Sequence, residues 1–190
     1  MNVIIIHGSN FKDNEKMKDK DFVPQNKRHW IPWIKKELEK REIKTFTPLM
    51  PRNWDPKYED WKNELEKTEI DEDSILVGTS AGAAFSVRWL AGTKKKIKKL
   101  ILVAPVTGKE KCNEWLKNLG NFEINPKIRD LVNETVIFVS DNDKDERLKS
   151  AEDYRNKLGA RLIELEGRGH FIENHMGGKE FPELLEEILK

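Results

Sequence analysis

The chain of 190 residues carries a single cysteine, Cys112, so it cannot close an internal disulfide, which fits a reducing compartment. It has no apolar run near the roughly 18 to 20 residues that a membrane-spanning helix needs; its longest runs, such as Val3 to Ile6 and Leu100 to Ala104, are strand-sized. It also lacks a cationic start followed by an apolar stretch and a small-residue cleavage site, so a cytoplasmic location is expected. Nor is there an excess of charge of either sign, because 35 Lys+Arg face 34 Asp+Glu for a formal net charge of +1. A general nucleic-acid binder would show a basic excess to neutralise phosphates, and that class is set aside. What remains suits one domain over residues 1–190, with 37% apolar residues to fill a core and 36% charged residues to cover it.

The apolar residues fall in short runs separated by helical patterns. Val3-Ile4-Ile5-Ile6 is β-branched and has no polar alternation, as in a strand covered on both faces. Further strands are expected at Ile43–Thr47, Ser74–Val77, Leu100–Ala104, Thr135–Val139 and Arg161–Leu165. Helices are expected around Trp30 to Leu38, Tyr58 to Leu65, Ala83 to Ala91, after Asp143 as far as Gly159, and through Phe181 to Ile188. Residues 11–27 are highly charged and without periodicity and read as a loop or flap, and Val106–Leu131 reads as a small cap. Strands alternating with helices imply right-handed crossovers and a parallel sheet between two helical layers, a three-layer, doubly wound α/β/α sandwich of about six strands. Sites in such sheets lie beyond the carboxyl ends of the strands, where this chain places His7-Gly8, Ser80, Asp143 and His170.

Gly78-Thr79-Ser80-Ala81-Gly82 sits at the junction of a strand and a helix. A serine hydroxyl needs a base to become a nucleophile, and a sharp strand-to-helix turn presents it with small residues two before and two after. The same turn aims the N–H of Ala81 at a developing oxyanion. The pentapeptide alone also occurs in unrelated strand–helix turns; the chain order Ser80, Asp143, His170 supplies the context. His170, in the loop after the last strand, can accept the serine proton near neutral pH, and Asp143, with Asp141 as its rival, can orient the ring. Ser9 or Asn10, after the first strand, is the expected second oxyanion N–H donor, while His7 is expected to be structural and His29 and His175 to be surface residues. Trp30, Trp33, Trp61 and Trp89 are expected in the core; Trp54, Trp115 and Phe171 are the candidate pocket residues.

Two other patterns compete. Asp141, Asp143, Asp145 and Glu152 fall at positions one, three, five and twelve of a calcium loop, but Glu146 stands where the loop needs glycine and a strand precedes it. The lysine run 94–96, extended by Lys98 and Lys99, reads as a solvated connection.

With these residues in place, the chain resembles the small serine-hydrolase family that includes YdeN and retinoblastoma-binding protein nine. The likeness spans nearly the whole length and is carried by Ile6-His7-Gly8, His29-Trp30-Ile31-Pro32-Trp33, Met50-Pro51 with Asp60-Trp61, the elbow around Ser80, and Gly169-His170-Phe171. It implies a compact α/β-hydrolase fold, with its strands in the order 2-1-3-4-5-6 and a minimal cap, and with Ser80, Asp143 and His170 as nucleophile, acid and base, Asp143 being preferred to Asp141 by the family's acidic turn. Thr79 departs from the histidine that relatives carry there, and the charged stretch 11–27 lengthens the loop beside the oxyanion hole.

The expected function is a serine hydrolase, specifically a carboxylesterase for small or medium acyl groups, acting on a small-molecule ester or amide with no metal or cofactor. The alternative is a protein-binding module on the same fold with a slow or vestigial site. A monomer is the default.

Overall fold

The computed structural model describes residues 1–10, 22–108 and 117–190. Six strands, β1 (Asn2–Ile6), β2 (Lys44–Phe46), β3 (Ile75–Thr79), β4 (Ile97–Val103), β5 (Val132–Ser140) and β6 (Arg161–Leu165), form one sheet in the order β2-β1-β3-β4-β5-β6. Every pairing is parallel, with Val3 opposite Ile75, Val77 opposite Ile101 and Ile137 opposite Leu162. The order reverses between β1 and β3, and this is where an open α/β sheet leaves a crevice.

Side chains of successive strand residues point to opposite faces, and the core divides accordingly. Ile4, Ile6, Leu76, Leu100, Leu102 and Ile137 pack on one face with α2 (Tyr58–Leu65), α3 (Ala81–Thr93) and α5 (Asp145–Leu158). Val3, Ile5, Val77, Ile101, Val103 and Phe138 pack on the other face with α1 (Ile31–Glu39) and α7 (Pro182–Leu189). Among the described residues, α4 (Lys117–Gly120) and α6 (Glu173–Met176) are single α-helical turns. Burying each aliphatic side chain contributes about 1.5–3 kcal/mol relative to exposure, so the apolar runs Val3–Ile6, Ile75–Val77, Leu100–Val103 and Val136–Val139 of the central strands anchor the fold. α3 lies in the middle of its layer and is buried from Ala81 to Val87, and it therefore has no polar face along its first two turns. Trp30, Trp61 and Trp89 are buried, and Trp33 is half-buried against the same core.

Three expectations change. β3 and α3 meet without a loop, as read, but α3 begins at Ala81 itself. β4 begins at Ile97, which places Lys98 and Lys99 in a strand and not in a solvated connection. Lys99 is 3% exposed, and its Nζ donates to Glu187 Oε1 at 3.0 Å and pairs with Glu134 Oε2 at 3.1 Å. Arg161 reaches the same Glu187 oxygen at 2.7 Å, so this buried ion network ties α7 to β4 and β6. A buried lysine is tolerated because it is paired, and its partners lie far along the chain where local reading does not reach. The third change is α6, a single turn between β6 and α7 that the expected elements omitted. Part of the expected cap, residues 109–116, and most of the charged stretch 11–27 lie outside the described residues.

Candidate active site

Ser80 stands between β3 and α3 with φ 53° and ψ −119°, a conformation that a residue with a side chain enters only at a cost. Its N–H donates to the carbonyl of Val103 at the end of β4 (2.9 Å), and its carbonyl accepts from Ala83 N–H (3.0 Å). The strained residue is thus held from both sides and its hydroxyl is carried beyond the sheet edge. The turn requires glycine at two positions. A Cβ on Gly82 would run into the carbonyl of Ile6 and come within 2.6 Å of that of His7, and one on Gly78 would lie 2.7 Å from Ala83 Cα.

His170 Nε2 lies 3.1 Å from Ser80 Oγ, and His170 Nδ1 lies 2.7 Å from Asp143 Oδ2. The other oxygen of Asp143 accepts from Lys144 N–H at 2.8 Å and from Arg147 Nη1 at 2.9 Å. Burial alone would push the Asp143 carboxyl up, but the hydrogen bond and charge of His170, with Arg147 and the Lys144 amide, bring it down to about 2. Asp143 is therefore an anion at neutral pH. Burial also lowers the pKa of His170, against the opposing pull of Asp143 and with help from the charge of Arg147. A neutral ring facing an acceptor-only carboxylate carries its proton on Nδ1, which leaves the Nε2 lone pair directed at the serine hydroxyl.

The turn after β5 supports this arrangement residue by residue. Ser140 Oγ, Asp141 Oδ1 and Asn142 Oδ1 accept from the backbone amides of Arg168, Gly167 and Gly169 at 2.8, 2.8 and 2.7 Å. Asp143 then meets the ring of His170 itself. Asp141, the rival for that contact, instead holds the loop in which the ring stands. These contacts also occupy Asp141 and Asp143 of the calcium-loop spacing, and Glu152 pairs with Arg155 on α5. Among the described residues no group of three or more His, Cys, Asp or Glu is disposed to hold a metal ion.

Of the expected oxyanion donors, Ala81 is the first residue of α3, and Ser9 borders a cavity of about 60 Å³ beside Ser80. Asn10 differs from expectation because its N–H donates to the carbonyl of Asn53 at 3.1 Å. His7 is structural: it is fully buried, with Nε2 accepting from Met50 N–H at 2.9 Å and Nδ1 donating to Gly8 O at 2.6 Å. Burial brings its pKa down to about 4 despite the Gly8 carbonyl, so the ring is neutral and fastens the end of β1 to the loop after β2.

Among the candidate pocket residues, Phe171 borders the cavity while stacking on Phe181 with ring centroids 5.2 Å apart. Trp54 is half-buried and is not part of the cavity wall, and Trp115 lies outside the described residues. Two contributors, Arg147 and Gln25, went unread in the sequence, and two histidines play more than a surface part. Arg147, one helical turn beyond Asp143, was within reach of local spacing rules. Gln25 and His29 border the cavity from a segment distant in sequence, and His29 is half-buried and not the surface residue expected. His175, although exposed, accepts from His170 N–H through Nδ1 at 3.0 Å.

A parallel sheet in this order, with a strained serine at the end of β3, defines an α/β-hydrolase. The chain belongs to the serine hydrolase family, whose match covers residues 22–189, and the protein is accordingly a hydrolase. It is 26% identical over 152 residues to the proposed hydrolase YdeN of Bacillus subtilis (strain 168), covering 77% of this chain and 80% of that one. The crystal structure of the B. subtilis ydeN gene product superposes with a TM-score of 0.85 at 23% identity, covering 99% of this chain and 96% of the other. The meta-cleavage product hydrolase CumD from Pseudomonas fluorescens IP01 shares the fold more distantly, with a TM-score of 0.64, 15% identity and coverage of 99% and 89%. So does Est1E from Butyrivibrio proteoclasticus, solved with ferulic acid bound, with a TM-score of 0.61, 13% identity and coverage of 100% and 90%.

Proposed function

We propose that the protein is a carboxylesterase for small or medium acyl groups, working through Ser80, His170 and Asp143. The observation that carries this reading is the hydrogen-bonded line from Ser80 Oγ through His170 to Asp143, at 3.1 and 2.7 Å, on a strained strand–helix turn. Ser80 Oγ attacks the ester carbonyl carbon while His170 Nε2 takes its proton, and the imidazolium so formed is stabilised by the Asp143 carboxylate. The amides of Ala81 and Ser9 receive the oxyanion of the tetrahedral intermediate. Collapse breaks the bond to the alcohol, which leaves with the proton from His170, and an acyl group remains on Ser80. Water then repeats the sequence: His170 removes its proton, the hydroxide attacks the acyl carbon, and Ser80 Oγ regains a proton as the acid departs. Each step uses a group already held at the site and requires no cofactor. The same machinery on a solute with an amide leaving group would follow the same course, so the ester preference is tested directly.

Short p-nitrophenyl esters compared across wild type, Ser80→Ala and His170→Ala provide the test. Loss of the nucleophile or the base lowers kcat by about 10⁴-fold or more when the residues act as a unit. Both variants should fall together to near background with their folds intact by circular dichroism. Turnover by Ser80→Ala equal to wild type would overturn the reading.

A further inference from the structure

His170 stands between two residues in the left-handed region, Gly169 at φ 51° and Phe171 at φ 52°. A non-glycine residue there carries strain and stays only where the surroundings hold it, so a base on this backbone keeps its aim through its neighbours. The three amides before His170 are held by the turn after β5, and Phe171 N–H closes back on the carbonyl of Arg168 at 3.0 Å. The amide of His170 itself has another partner and donates to His175 Nδ1 at 3.0 Å. His170 is thus fixed through its ring by Asp143 and through its backbone by His175.

His175 is brought there by α6, in which its own N–H donates to the carbonyl of Ile172 at 2.9 Å. Its ring lies so close to the preceding loop that a Cβ on Gly169 would come within 2.6 Å of Nδ1, and glycine at 169 therefore serves both the left-handed φ and the approach of the ring. The other end of α6 is held from the segment before α1, where His29 Nδ1 accepts from Glu173 N–H at 3.2 Å. A single turn does not stand alone, and these contacts replace the side-chain cap that Ile172 does not supply.

We propose that His175 is a positioning residue for the base, its Nδ1 fixing the backbone of His170 so that Nε2 stays directed at Ser80 Oγ. It moves no proton in the reaction and acts through His170. An acceptor for an amide must hold a free lone pair, so the working ring carries its proton on Nε2. This inference rests on the reading of Ser80 and His170 as nucleophile and base.

The test is the rate at which a fluorophosphonate labels Ser80, because that reaction needs the activated serine and not a particular ester. The limiting rate at saturating probe, kinact, reports the base, and the half-saturating concentration, KI, reports probe binding. His175→Asn sets a carbonyl oxygen where Nδ1 lay and keeps the acceptor, whereas His175→Leu keeps bulk and removes it. His175→Leu should lower kinact about tenfold and change KI by less than about twofold. His175→Asn should retain most of the wild-type kinact. The ring is exposed, and circular dichroism checks both folds; His175→Ala, which also lacks the acceptor, takes the place of the leucine variant if that one does not fold. An unchanged kinact without the acceptor, an effect carried by KI instead, or an asparagine variant as slow as the leucine one overturns the assignment. Any of these in a protein whose wild type labels refutes only the role of His175. A wild type that takes no label refutes the reading of Ser80 and this inference with it.

Discussion

Replacing Ser80 by glycine should make the protein more stable than replacing it by alanine, although both changes remove the same hydroxyl. Ser80 is held at φ 53° and ψ −119°, where a residue with a Cβ carries a strain of about 1–3 kcal/mol that glycine does not. Against this, glycine gives the unfolded chain extra freedom, which costs about 0.4–1 kcal/mol. The two terms leave Ser80→Gly more stable than Ser80→Ala by about 1 kcal/mol, with a ceiling near 2.5 kcal/mol. The hydrogen bond of Ser80 Oγ to His170 at 3.1 Å is lost in both variants and cancels. For a chain of 190 residues the difference corresponds to roughly 2–4 °C in Tm. Urea unfolding followed by tryptophan fluorescence, with a thermal melt as a second probe, measures it. Equal stability of the two variants, or a more stable Ser80→Ala, would refute the claim that the turn stores strain to present the hydroxyl.

Two further predictions concern pH. The folded pKa of His7 is about 4, below its ordinary value of 6.5, so the unfolded chain binds the extra proton first. The stability from a neutral His7 is complete above about pH 6.5 and is lost as the pH falls toward about 4, by about 3 kcal/mol in all. Urea midpoints for wild type should therefore converge on those of His7→Gln over that window, and parallel curves would contradict the neutral ring. At Arg147, the guanidinium beside Asp143 helps to hold His170 below its ordinary value. Arg147→Met should move the acid limb of kcat/KM to higher pH, and a limb that stays or moves lower would exclude this electrostatic role.

The strands were legible because Val3 to Ile6, Leu100 to Val103 and Val136 to Val139 are apolar at successive positions, and the parallel doubly wound architecture followed from the helices between them, while the order of the strands came from the family resemblance. Their edges were not. Lys98 and Lys99 look like solvent-facing charge until Glu187, on the last helix, is brought beside Lys99. The site divides in the same way. Ser80 and His170 could be read because an elbow and a terminal loop are local signals, and the geometry brings them within hydrogen-bonding distance. The separation of Asp143 from Asp141 needed the loop 167–169, whose amides occupy Ser140, Asp141 and Asn142 and leave only Asp143 for the ring. The place of Asn10 was hidden for the converse reason: its amide donates to the carbonyl of Asn53, about 43 residues away, a partner that no local pattern announces. Gln25 and His29 carry no motif, and their placement depends on how the segment before α1 folds over the sheet edge.

The most direct measurement of the central claim is covalent labelling of the purified protein with a fluorophosphonate probe, followed by mass mapping of the adduct. Such a probe reacts with an activated serine and not with an ordinary hydroxyl. The account predicts an adduct on Ser80 of the wild type that is absent from Ser80→Ala and strongly slowed in His170→Ala. A folded wild type that takes no label, or an adduct mapped to another residue, would contradict it.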